Sequence, residues 1–137
     1  MEHYEQASEI MKDLGHPLRM QILEELRREG EACVCHLEAR LGQRQAYISQ
    51  HLARLREARL VIDHREGMNI YYSLADESVG RLLDLAGQVA TQVKSIAREP
   101  SASRQPHVVD PVLCPCPKCA RRRAASLSPL PDQQVTV

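Results

Sequence analysis

Phenylalanine and tryptophan are absent from this 137-residue chain, and four tyrosines are its only Phe, Trp or Tyr residues. So thin an aromatic supply argues against the base-stacking platform of single-strand nucleic-acid binders. Long apolar runs are lacking too: no segment approaches the ~20 residues that cross a bilayer. The N-terminus has no apolar stretch behind a basic start, so the expected location is the cytoplasm, with no membrane partner. An excess of one charge is also missing, since 18 Lys and Arg balance 18 Asp and Glu. A Gly-rich phosphate loop and a nucleophile beside a base are absent, so an enzyme is not expected.

The neutral total hides an uneven distribution. Residues 1–39 hold nine Asp and Glu against four Lys and Arg. Residues 40–65 carry Arg40, Arg44, Arg54, Arg56, Arg59 and Arg65 against Glu57 and Asp63. Attraction to phosphates is local to a face, so a basic middle is compatible with a nucleic-acid partner. Five cysteines, an odd number in a reducing compartment, point to metal or redox chemistry rather than a disulfide framework.

Periodicity divides the chain at about residue 98, with one domain over 1–98 and a flexible, cysteine-containing tail over 99–137. A weak helical pattern runs from Tyr4 to Leu14. Pro17 opens a second helix to Glu29, with Leu18, Ile22, Leu23 and Leu26 inward. Val34, Leu37 and Leu41 predict a third helix over 33–41, and Gly42-Gln43-Arg44 turns into a fourth over 45–58. Ile48, Leu52 and Leu55 face inward there, leaving Gln45, Ser49, Gln50 and Arg54 outward. Two helices joined by a short Gly-containing turn, the second polar on its outer face, form a helix-turn-helix. The runs 60–65 and 69–74, split by Glu66-Gly67-Met68, predict a β-hairpin wing. The last helix, 77–98, carries Val79, Leu82, Ala86, Val89, Val93 and Ile96 in a heptad-like stripe, which predicts lengthwise packing in a symmetric dimer. The fold class is mainly α with a β-hairpin wing, in the order α-α-α-α-β-β-α.

The run Leu14–Leu23, the Cys33-Val34-Cys35-His36-Leu37 box, the segment Ile48–Val61, and Arg65-Glu66-Gly67 with Tyr71-Tyr72-Ser73-Leu74 together resemble the ArsR/SmtB family of winged helix-turn-helix repressors. The similarity covers about residues 5–98. It implies a homodimer that occupies an inverted-repeat operator on double-stranded DNA and leaves when an inducer binds. On that mapping 45–58 reads the major groove, with Gln45, Ser49, Gln50 and Arg54 toward the bases. Amide side chains suit adenine edges and Arg suits guanine. Arg44, Arg56 and Arg65 would hold phosphates.

The same resemblance places an inducer site at Cys33 and Cys35. The family's second site, on the last helix, needs Asp and His, and 77–98 has Asp84 but no His. In a regular helix residues i and i+2 lie about 200° apart, so both box thiols reach one ion only if the helix start unwinds. Two thiolates are few for a soft ion. Cys114, Cys116 and Cys119 form a C-x-C-x-x-C cluster, and the intervening coil spans roughly 20 Å and at most about 50 Å. Three arrangements follow: box plus tail, tail alone as a trithiolate, or box alone with His3 or His36. The first is favoured. The implied inducer is a thiophilic ion, As(III) or Sb(III), or Cd, Pb or Zn. A thiol redox switch on the same cysteines is the rival reading, and a haem response through the Cys-Pro pairs a further one. His16, His51, His64 and His107 are read as packed or solvated.

Overall fold

The computed structural model describes residues 1–96 and 114–126. Helices α1 (Glu2–Leu14) and α2 (Pro17–Glu29) meet at Gly15-His16. His16 is extended, with φ −132°, and its Nδ1 accepts the Leu18 N–H at 3.1 Å, while Pro17 takes the first helical position. A capped donor and a preset φ begin the helix at the expected residue.

Leu18, Ile22, Leu23 and Leu26 of α2 are buried, as the helical spacing predicts. They pack with Leu37 of α3 (Val34–Leu41) and with Ile48, Leu52 and Leu55 of α4 (Gln45–Glu57). Each such side chain contributes about 1.5–3 kcal/mol of burial, so this three-helix contact fixes α3 and α4 on the α2 platform. Between α3 and α4, Gly42 adopts φ 64° and ψ 28°, and its N–H bonds Glu38 O at 3.0 Å. Only glycine takes this left-handed cap without a Cβ penalty. Gly42→Ala should therefore cost about 1 kcal/mol in a urea titration, and Gly42→Asn less. An unchanged midpoint for the alanine variant would show that the turn does not depend on the left-handed residue.

The sheet is antiparallel with order β1-β3-β2, formed by β1 (Ala32–Cys33), β2 (Val61–Glu66) and β3 (Asn69–Leu74). Tyr71 is the central register position, opposite Cys33 on one side and His64 on the other. Gly67 turns the hairpin at φ 62° and leaves Met68 at an exposed tip. A positive φ at the first loop position matches the twist of the flanking strands. Helix α5 (Glu77–Ile96) joins the core through Val79 and Leu83. Arg27 Nη1 and Nη2 clasp the Asp84 carboxylate at 2.5 and 2.7 Å, tying α2 to α5. Further along α5, Leu85, Val89 and Val93 are each half exposed or more.

Three features differ from the sequence reading. The third helix starts at Val34, and Cys33 belongs to a strand that no periodicity announced, because two residues carry no period. Glu66 pairs with Asn69, so the first wing strand runs one residue further than expected. Within the tail, Pro117–Ser126 is a helix, α6, where no regular structure was expected. The end of the last predicted helix at 97–98, and tail residues 99–113 and 127–137, lie outside the described residues. No helix among the described residues is long and apolar enough to cross a membrane.

Candidate metal centre and DNA-reading face

The strand-to-helix junction at Cys33 removes the geometric obstacle posed by an i, i+2 pair. Cys33 is extended, with φ −84° and ψ 166°, and caps α3 by accepting the His36 N–H on Sγ at 3.3 Å. Cys35 lies in the first turn of the helix. The two thiols therefore converge without any unwinding, which corrects the expectation that ligation must distort α3. The tail completes the group: Sγ atoms of Cys33, Cys35, Cys114 and Cys116 all lie within 4.8 Å of one another. Cys114 Sγ approaches Cys35 Sγ to 3.4 Å. A tetrahedron with metal–sulfur bonds of about 2.3 Å has edges of about 3.8 Å, so the donor set fits a tetrahedral thiophilic ion.

Cys119, expected among the ligands, is placed differently. Its Sγ is 2.9 Å from His36 Nδ1, and His36 Nε2 is 3.1 Å from Glu25 Oε1. A carboxylate only accepts, so Nε2 carries a proton and donates it to Glu25. Arg40 Nε donates to the same Glu25 oxygen at 3.1 Å. His36 and Glu25 are both buried. His36 thus belongs to a bridge from α6 through α3 to α2. His3 stands apart from the sulfurs, stacked edgewise on Tyr4 in α1.

The thiols differ in acidity. Burial pushes Cys33 up, assisted by its contact with Cys35. Burial likewise raises Cys114 to about 11 and drives Cys119 upward. Burial acts the same way on Cys116, but the Cys119 N–H and the thiols of Cys119, Cys33 and Cys114 donate to it and bring it down to about 7. Among these thiols Cys116 gives up its proton most readily to a soft cation.

The predicted DNA-reading residues are positioned by α4 and the wing. Arg44, Gln45, Ser49 and Gln50 are exposed around the first two turns of α4, and Arg65 is exposed on β2. Arg54 and Arg56 are exposed but already engaged: Arg54 Nε donates to Asp13 of α1 at 2.9 Å, and Arg56 Nη1 to Asp63 of β2 at 3.4 Å. Sequence reasoning missed these partners because Asp13 is 41 residues from Arg54, and Asp63, seven residues from Arg56, lies on a different element. It also missed a ring cluster in which Tyr47 and His16 lie 4.6 and 4.4 Å from His51. The His51 ring is held neutral more readily than usual by burial and by the charges of His16 and Arg19.

Residues 16–63 match the family described as bacterial regulatory protein, arsR family. An uncharacterized HTH-type transcriptional regulator of Methanocaldococcus jannaschii is 37% identical over 89 residues, 65% of this chain and 100% of its own length. The arsenic resistance transcriptional regulator ArsR1 of Pseudomonas putida is 43% identical over 68 residues, 50% of this chain and 53% of its own. The chain thus spans about half of that relative. Among solved structures, the homodimeric winged helix-turn-helix domain of a possible ArsR-family regulator from Mycobacterium bovis superposes with TM-score 0.61 at 31% identity, covering 72% of this chain and 90% of that one. The chain belongs to the ArsR/SmtB family of winged helix-turn-helix transcriptional regulators. It is a DNA-binding regulator rather than an enzyme.

Proposed function

We propose that this protein is a homodimeric repressor that leaves its operator when Cys33, Cys35, Cys114 and Cys116 take up a thiophilic ion. The convergence of four sulfurs from two distant segments, within 4.8 Å of one another, carries this reading. Packing alone gives no reason for three tail cysteines to seek the two box cysteines, whereas a shared soft ligand does. Four thiolates suit a tetrahedral divalent ion such as Cd(II) or Zn(II); arsenite, which takes three, would use a subset. The relative from P. putida is named for arsenic resistance, which supports a thiophilic inducer.

The dimer rests on α5, whose exposed Leu85, Val89 and Val93 need a partner, and on the homodimeric relative. Two α4 helices would then enter successive major grooves, about 34 Å apart on an inverted repeat. Gln45, Ser49 and Gln50 would read bases, and Arg44 and Arg65 would hold phosphates. Arg54 and Arg56 would have to leave Asp13 and Asp63 to join them. Uptake of the ion fixes the 114–119 segment against α3 and the sheet. The resulting shift in operator affinity is bounded by the ion's preference for that docked form.

The same thiols could respond to oxidation, and the 3.4 Å approach of Cys35 and Cys114 favours that second reading. The deciding experiment is fluorescence anisotropy of labelled operator against Cd(II), arsenite and hydrogen peroxide in turn. Release by Cd(II) or arsenite under reducing conditions is expected. Release by peroxide alone would overturn the metal reading in favour of a redox repressor.

A further inference from the structure

The tail helix does not dock on sulfur alone. Lys118, between Cys116 and Cys119, places its ammonium 4.4 Å from the centre of the Tyr71 ring in β3. The same ammonium pairs with the Glu31 carboxylate, just before β1. The second Glu31 oxygen is 3.3 Å from His64 Nε2 in β2, and the His64 ring lies 5.7 Å from that of Tyr71. One side chain of α6 therefore engages β3 directly and, through Glu31, reaches β2 and the residue that leads into β1. Tyr71 is 2% exposed and packs with Cys33, Cys114, Cys116 and Cys119. The sulfur group and the base of the wing share one face of the sheet.

Glu31, His64 and Glu66 also bring three donor atoms within 4.8 Å of one another, the outline of a cation site. Lys118 already supplies a cation there, so the cluster reads as the receptor for its ammonium. The side chains of Lys118 and Glu31 are 23% and 31% exposed, so their pairing is less screened than a fully exposed bridge.

We propose that Lys118 is the positioning residue that couples the four-sulfur site to the wing, by clamping Glu31, Tyr71 and His64 when α6 is docked; this rests on the ion-sensing reading above. With α6 docked, the wing, β1 and the start of α3 move as one body. With α6 released, the hairpin loses the Lys118 clamp and keeps its strand pairing, Val61 in the core and the Arg56–Asp63 pair. The ion acts on DNA affinity by changing how the wing is held, and α3 keeps its helical start in both states. Coupling of this kind is reciprocal, so operator DNA must weaken Cd(II) binding by the same factor that Cd(II) weakens operator binding.

The test uses the full chain as wild type, Lys118→Met, Lys118→Arg, Glu31→Gln and the Lys118→Met/Glu31→Gln double variant. Site filling is read by thiolate-to-Cd(II) charge-transfer absorption, and operator affinity by anisotropy with and without Cd(II). Methionine keeps an apolar stem and removes the charge. Lys118→Met should fill with wild-type stoichiometry, while its ratio of operator affinities falls about five-fold below that of the wild type. Lys118→Arg should restore the ratio, and the double variant should match the worse single variant, because the two residues act as one contact. A Lys118→Met protein with the wild-type ratio overturns the proposal, as does one whose site no longer fills. A wild type that fills but is not released sinks the sensor reading itself, an outcome distinct from either of these.

Discussion

Replacing Cys33 and Cys35 together by serine should leave the metal-free protein on its operator and abolish release by Cd(II). The fold should tolerate the change because Cys33 Sγ is an N-cap acceptor for the His36 N–H, and a serine hydroxyl does that work better. Cys35 is half-buried at the edge of the sulfur cluster, where a hydroxyl costs little packing. The ion loses two of four soft ligands. Structural thiolate and imidazole sites bind with about 10–16 kcal/mol in total, so each lost ligand costs on the order of 100-fold in affinity. Cd(II) charge-transfer absorption should weaken and shift, and anisotropy should show operator occupancy unmoved at concentrations that clear the wild type. Normal release by the double variant would mean that the tail thiols alone form the sensor.

Much of this site was legible in the sequence, and what escaped did so for identifiable reasons. The apolar spacing of 17–29 and 45–58, and the residues around Gly67, specify the helix-turn-helix and the wing, because those elements bury residues at a regular period. The box and tail cysteines stand out by type. Their mutual placement does not, because no local pattern encodes a contact between residues 79 apart. Helix α6 escaped notice because what it buries is Cys119, just after Cys114 and Cys116, and cysteines at this spacing read as ligands rather than as a core stripe. Yet Pro117 at the first turn and Ala120, Ala124 and Ala125 are good helix residues in their positions. Moving the start of α3 by one residue, from Cys33 to Val34, changed the mechanism most. It turned a strained pair of thiols on opposite sides of a helix into a convergent pair at a junction. Nothing in the spacing of Leu23-Glu24-Glu25-Leu26 singles out Glu25, and only the folded chain reveals it as buried against His36 and Arg40.

That buried carboxylate sets the largest expected loss of stability. Glu25→Ala should destabilise the ion-free protein by about 3 kcal/mol, because it leaves His36 and Arg40 facing a buried gap without their shared acceptor. A thermal melt in chelator should then fall by about 10–20 °C. Glu25→Gln keeps an acceptor for His36 Nε2 but no charge for Arg40, so it should lose less. The acid limb separates charge from shape. Burial pushes the Glu25 carboxyl up, but the His36 hydrogen bond and the charges of Arg40, His36 and Arg28 outweigh it and hold the group below its ordinary value of 4.5. A carboxyl lowered on folding stabilises the native state at pH above the unfolded value and loses that contribution as pH falls through the folded one. The wild type should therefore lose stability below about pH 4.5 more steeply than Glu25→Gln, and the two melting curves should converge in acid. Parallel acid limbs would show that the carboxylate charge does not hold α2 to α3. Convergence would place the charge at the root of the bridge that runs from α2 through His36 to Cys119, so that docking of α6 is built on the same core that positions the DNA-reading helix.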